Sequence, residues 1–196
     1  MTRVLAAVGP VSFIAAGILA ALAAQGNSNS NRPEYTSDGR LLKPEHYREW
    51  VWLSSGLGMS YSATARSEKD PRFDNVFVNP EAYRGFLQTG KWPDKTVLIL
   101  EIRSSVSRAS INQHGHFQGG LTAIEAHVKD EKQFPGGWAF FGFDRSGDPA
   151  RLIPQTASCY TCHAQSGAVD STFVQFYPTL FEIAKQKGTL ALHGLQ

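Results

Sequence analysis

The only two cysteines of this chain sit three positions apart in Cys159-Tyr160-Thr161-Cys162-His163. A pair at that spacing, followed directly by histidine, is the CxxCH arrangement through which haem c is attached to protein. The spacing has a mechanical reason. Two thiols three positions apart add to the two vinyl groups on one edge of a porphyrin, and the adjacent imidazole is delivered to one axial face of the iron. Other uses of a cysteine pair fit less well. A thioredoxin-like redox pair sits at a strand-to-helix turn early in a βαβ domain, whereas this one comes late, after an antiparallel pattern. A structural zinc site needs two further ligands at close spacing, and no second cysteine pair exists. Two cysteines also exclude a disulfide-stapled miniprotein.

The N-terminus agrees with a compartment where haem c is assembled. Arg3 precedes an uncharged run, residues 4–24, rich in Ala, Leu, Ile and Val, and a polar stretch follows at 25–31. We read residues 1–24 as a signal peptide: Gly9, Pro10 and Ser12 interrupt the run, and Ala21-Leu22-Ala23 offers small residues for cleavage. The alternative is an uncleaved anchor, since about 20 apolar residues span a hydrocarbon core. Either reading leaves 25–31 as a linker and places one domain, 32–196, outside the cytoplasm, periplasmic or otherwise exported. With 42% hydrophobic and 18% charged residues the chain has the profile of a packed domain, and its net charge of +2 gives no reason to expect nucleic acid as a partner.

Downstream, segments 50–53, 75–78, 96–103, 121–129 and 138–143 are rich in β-branched or aromatic residues and separated by Gly, Pro, Asp or Ser clusters, as strands are. In the fourth, Thr122, Ile124, Ala126 and Val128 alternate with Glu125, His127 and Lys129, so the second set is expected on a solvated face. Asn79-Pro80-Glu81 predicts a helix start with Asn as the cap, and Gly90 its stop. Tyr83, Phe86 and Leu87 then form its apolar face. A further helical segment is expected after Asp170 as N-cap, broken or kinked at Pro178 and ending at Gly188. The sum is an α+β domain: an antiparallel sheet with a few helices, and haem near a C-terminal CxxCH helix.

Iron would have a second axial position, and its occupant decides function. Met59 is the only methionine beyond the signal segment and would complete a His/Met electron-transfer site with His163. The remaining candidates are His46, His114, His116, His127 and His193. His127 falls on the polar side of its strand and is expected at the surface, while His114 and His116 point the same way if extended and are expected at a solvated loop edge. If none of these binds, the iron is five-coordinate and open to small ligands.

The stretch 159–178, CYTCHAQSGAVDSTFVQFYP, resembles the cytochrome P-460 family, which includes the cytochromes c′-beta. So do LKPEHYREWV at 42–51, VFVNPEAY at 76–83, TGKWPD at 89–94, EAHVKD at 125–130 and GWAF at 137–140, in the family's order. The resemblance implies a sheet-dominated haem c fold, a homodimer, His163 as the proximal ligand and an open opposite face. Members called cytochrome P-460 oxidise hydroxylamine with a haem also tied to a lysine, within a Thr-Val-x-x-Lys-Glu arrangement. Here the matching residues are Thr96-Val97-Leu98-Ile99-Leu100-Glu101, with Leu100 in the lysine's place. No such cross-link is expected.

That departure moves the expectation toward the cytochrome c′-beta side, whose members bind nitric oxide or carbon monoxide under an apolar cap. Leu100 with Leu98 or Ile102, and Phe73 or Phe77 on the preceding strand, are the residues expected to form such a cap, or to serve as ordinary core. Phe173, Phe176 and Tyr177 are expected to pack around the proximal helix. Three functions follow from the resemblance and the motif. The first is binding or detoxifying nitric oxide or a related nitrogen species. The second is oxidation of hydroxylamine or reduction of peroxide, with Glu101, His114 or His116 as proton carrier. The third is electron transfer with a closed sixth position and a redox partner protein.

Overall fold

The computed structural model describes residues 31–61, 71–144, 146–191 and 193. The expected signal peptide, and all of the expected linker but Asn31, lie outside the described residues. Among the described residues no helix is long and apolar enough to cross a membrane.

Five strands form one antiparallel sheet in sequence order: β1 (Val51–Leu57), β2 (Phe73–Val78), β3 (Val97–Val106), β4 (Phe117–Lys129) and β5 (Trp138–Phe143). Three helices complete an α+β fold: α1 (Pro80–Thr89) in the β2–β3 connection, then α2 (Ser158–Ser166) and α3 (Pro178–Lys187) after the sheet. Each expected strand is present; β1, β3 and β4 extend past the expected limits where Ser and Gly weaken the hydrophobic pattern, and β2 takes in Phe73 and Asp74 as well. The β3–β4 hairpin reaches furthest, and its tip carries His114 and His116, both exposed.

Both faces of the sheet are covered. Because side chains alternate along a strand, Val97 and Ile99 of β3 face a cluster with Leu41, Tyr47, Ala126, Val128 and Phe141. Leu98 faces the other way, into a cluster with Val78, Phe86, Trp92, Val174 and Leu180 that α1 and α3 close over. This double cover corrects the reading of the fourth strand. His127 belongs to its polar set by sequence, yet only 7% of it is exposed, because this antiparallel sheet has no solvated face at that position.

The helix ends show which local signals govern. Pro80 and Pro178 each occupy the first turn of a helix, and Gly90 and Gly188 end α1 and α3 in the left-handed conformation at φ 71° and 67°. Asn79 does not cap α1. Its side chain instead donates to the Lys95 carbonyl at 3.2 Å and accepts from the Val97 amide at 2.8 Å, stitching the helix entry to β3. Asp170 starts no helix: it stands at φ 47° in a turn, and α3 begins at the proline expected to break it.

Glu101, offered above as a proton carrier, faces the first cluster and is a structural anchor there. It is 3% exposed and accepts hydrogen bonds from the Tyr47 hydroxyl at 2.5 Å, Arg48 Nε at 2.7 Å and Arg103 Nε at 2.5 Å. Burial pushes its carboxyl up, but the bonds from Arg103, Tyr47 and Arg48 together outweigh burial and hold it below the ordinary range. Removing one partner of a buried charged network leaves the others uncompensated. Glu101→Gln is expected to lower unfolding free energy by about 3 kcal/mol, read from urea unfolding at neutral pH. The sign with pH follows from the depressed folded value: the stabilisation is complete above the unfolded pKa of about 4.3, and is lost as pH falls through the folded one.

Candidate functional site

A cavity of about 430 Å³ lies between the second face of the sheet, α2 and the segment leading to α3. Its volume is that of a site for a small molecule or cofactor. The pairing register explains its sheet wall. Ser54 pairs with Val76, Val76 with Leu100 and Leu100 with Glu125, so these four side chains form one row across four strands, and all four line the cavity. Beside that row Leu98 pairs with His127 and His127 with Phe140, and these three line it too.

The facing wall is α2. Cys159 and Cys162 lie at i and i+3, hence on one face of the helix, and both are free, half-buried and turned to the cavity with His163. His163 is held by its Nδ1, which stands 2.8 Å from the Ser171 carbonyl. A carbonyl only accepts, so Nδ1 carries the proton and Nε2 keeps its lone pair. Burial holds the His163 imidazole below its ordinary pKa, with the Ser171 carbonyl opposing. The neutral ring is the form that ligates metal.

The turn that supplies the Ser171 carbonyl is demanding. Asp170 and Ser171 both have positive φ, 47° and 58°, a region non-glycine residues rarely adopt. Neighbours hold it in place: the Trp92 amide donates to Asp170 Oδ2 at 3.3 Å, and Trp92 Nε1 donates to Thr172 Oγ1 at 2.8 Å. Lys129 Nζ lies 3.6 Å from the Asp170 carboxylate. Gly167 lets the turn fold back on α2, because a Cβ there would stand 2.6 Å from the His163 carbonyl oxygen and 2.7 Å from the Ser171 carbonyl carbon. Gly167→Ala is expected to cost about 1–3 kcal/mol, the usual penalty of overpacking. Thermal unfolding against the wild type measures it.

Three rings enclose the His163 imidazole: Phe173 at 4.2 Å between centroids, Phe140 at 4.6 Å and His127 at 4.9 Å. Phe173 also stacks on Tyr61, and Phe176 packs on Phe173; both line the cavity, as does Tyr177. The His127 imidazole is pushed well below its ordinary pKa, first by burial and then by His163.

The cavity gathers some of the residues singled out by sequence and leaves others apart. Cys159, Cys162, His163, Leu98, Leu100 and Met59 line it. Phe73 and Phe77 do not, and the reason is strand alternation: Phe77 points to the first cluster, where it meets Tyr47 edge to face at 5.7 Å, and the neighbours Asp74 and Val76 face the cavity instead. Ile102 is buried outside the lining. Glu101 sits on the opposite face, and His114 and His116 at the hairpin tip. His46 is paired with Glu49 at 3.5 Å on the surface, and His193 is exposed.

Two carboxylates of the cavity wall are not read as site residues from the sequence: Asp74, half-buried, and Glu125, exposed as its place in the alternating strand leads one to expect. Asp74 and Glu125 both line the cavity, and burial raises both carboxyls above their ordinary range, with the Asp74 charge raising Glu125 further and Arg72 opposing in each case. Strand alternation alone puts Glu125 on the face of His127. Only the register, which sets Glu125 beside Leu100, makes it a site residue.

The donor set suits a porphyrin-held metal. Among the described residues no three His, Cys, Asp or Glu side chains cluster as a metal cage would require. The His163 imidazole with a free Nε2, next to two thiols on the same helix and facing a largely apolar cavity, is what haem c uses. The family model described as Cytochrome P460 matches residues 44–174, which take in the whole sheet, α1, α2 and the Ser171 turn. No curated protein matches the chain.

Proposed function

The chain belongs to the cytochrome P460 family, and from that premise we propose that it is an exported mono-haem c cytochrome that takes nitric oxide or a related small nitrogen species at an open iron face. His163 is the residue that would ligate the iron through Nε2, and Cys159 and Cys162 those that would form the thioethers. Haem iron, when bound, supplies a one-electron redox centre and a coordination position for a small ligand.

The observation that carries this reading is the sheet wall. Val76, Leu98 and Leu100 present apolar surface to the cavity, which disfavours water against that part of the wall and suits a neutral diatomic. Leu100 occupies the position where a cross-linking lysine would sit, and Lys95 is committed elsewhere, paired with Asp130. The export part rests on Arg3 and the apolar run at 4–24.

A second reading, oxidation of hydroxylamine, is favoured by Asp74 and Glu125. Proton-coupled oxidation needs a base within reach of the substrate, and a carboxyl with a raised pKa is better matched to neutral pH than an ordinary one. In this reading Glu125 accepts a proton from the bound nitrogen and Asp74 tunes its affinity for that proton.

One preparation tests both. Expressed with a cytochrome maturation system, the protein is expected to give a five-coordinate high-spin ferric spectrum, and its reduced spectrum is expected to change on adding nitric oxide. A six-coordinate low-spin spectrum indifferent to nitric oxide would overturn the proposal and favour an electron carrier, with Met59 at hand in the cavity. Turnover of hydroxylamine with an artificial electron acceptor decides for the second reading.

A further inference from the structure

We propose that His127 is a positioning residue for His163, fixing the plane of the proximal imidazole through ring packing. The inference rests on the reading of the cavity as a haem c site and goes beyond it. Four observations carry it. His127 stands in the row Leu98–His127–Phe140, so β3 and β5 hold it from both sides. Its ring stacks on Phe140 at 3.9 Å and 12°, and lies 4.3 Å from Trp138, so it has little freedom to turn. It meets the His163 ring nearly at right angles, 4.9 Å and 75°, an edge-to-face geometry that resists rotation of either partner. Finally, its Nε2 is buried and finds no hydrogen-bond partner among the described residues.

That orphan nitrogen is informative. Leaving a buried polar atom unpaired costs about 1–3 kcal/mol, so the position is a poor place for histidine as far as folding alone is concerned. Its ring packs on Phe140, Trp138 and His163, and the contact with functional consequence is His163. The Ser171 carbonyl fixes one point of that imidazole. A hydrogen bond to one ring nitrogen leaves the ring free to rock about it, and a second, lateral support removes that freedom. Such outer contacts orient metal-bound imidazoles and tune the metal they hold.

The test compares His127→Leu, which removes the ring, with His127→Phe, which keeps it, in the full chain matured with haem. A pyridine haemochrome is recorded on every sample. The readouts are the ferric electron paramagnetic resonance signal and the iron–histidine stretching band of the reduced protein. H127L is expected to split or broaden both, because the His163 plane is no longer single-valued, and H127F is expected to restore one narrow signal. An H127L protein with full haem content and signals identical to the wild type would overturn the inference, as would an H127F protein as heterogeneous as H127L. Should H127L fail to mature, H127F decides: narrow signals support the inference, and split signals at an unchanged melting temperature overturn it. A wild type without haem absorbance would remove the inference together with the reading of the cavity, and the haemochrome keeps the two failures apart.

Discussion

Replacing Cys159 and Cys162 together with serine is expected to abolish covalent haem: the haem stain on a denaturing gel disappears, and acidified organic solvent extracts whatever colour remains. Each thiol stands on the cavity face of α2 beside His163, so each single variant is expected to retain a one-thioether product with a shifted haemochrome band. The geometry sets the order of severity. His163→Ala removes the residue whose Nδ1 ties α2 to the Ser171 turn, so it loses both the expected metal ligand and a contact within the protein. The cysteines make no disulfide, and serine in their place leaves the protein's own packing nearly intact. The double serine variant should therefore still fold as apoprotein. Retention of covalent haem by that variant would end the reading of CxxCH as the attachment site.

Much of this was legible in the chain itself, and what was not has a common cause. The strands of the sheet announce themselves by β-branched runs, and Pro80, Gly90 and Gly188 mark helix ends through constraints that belong to single residues. The thiols and His163 are legible because their chemistry depends on spacing within five residues. Everything that failed depends on where distant segments meet. His127 was expected at the surface because alternation tells only that it opposes Val128. That its face is covered by α2 is a property of residues some 30 positions on. Phe73 and Phe77 were expected at the cavity because aromatics suggest a cap, yet the shift of one residue along β2 brings Asp74 and Val76 there instead. Glu101 and Glu125 exchange roles for the same reason. Both are acidic strand residues, but one opposes Ile124 and faces Tyr47, while the other opposes Leu100 and faces the cavity. Asp170 resembles a helix cap and serves instead as an anchored corner, held by the Trp92 amide 78 positions away.

Glu125 is the residue on which the choice between ligand binding and oxidation turns. Glu125→Gln keeps the size of the side chain and removes its capacity to accept a proton. If the second reading holds, hydroxylamine turnover is expected to fall by roughly 10²-fold or more, the usual weight of a positioned general base, while the nitric oxide difference spectrum remains. Equal turnover by wild type and E125Q would leave Glu125 no catalytic part. The pH dependence separates this residue from a bystander. Burial, and then Asp74, raise its carboxyl, so the active, ionised form is expected to appear only above the ordinary glutamate range. Asp74→Asn takes away the second of these causes and should move the acid limb of the pH profile to lower pH. Stability has the opposite sign to that of Glu101. A carboxyl whose folded pKa is raised costs nothing below its unfolded value of about 4.3, and destabilises progressively as pH rises from there through the folded value. E125Q is therefore expected to unfold at higher urea than the wild type at neutral pH and at the same urea in acid. A gain in stability joined to a loss of turnover is the mark of a carboxylate kept at the cavity wall for chemistry rather than for the fold.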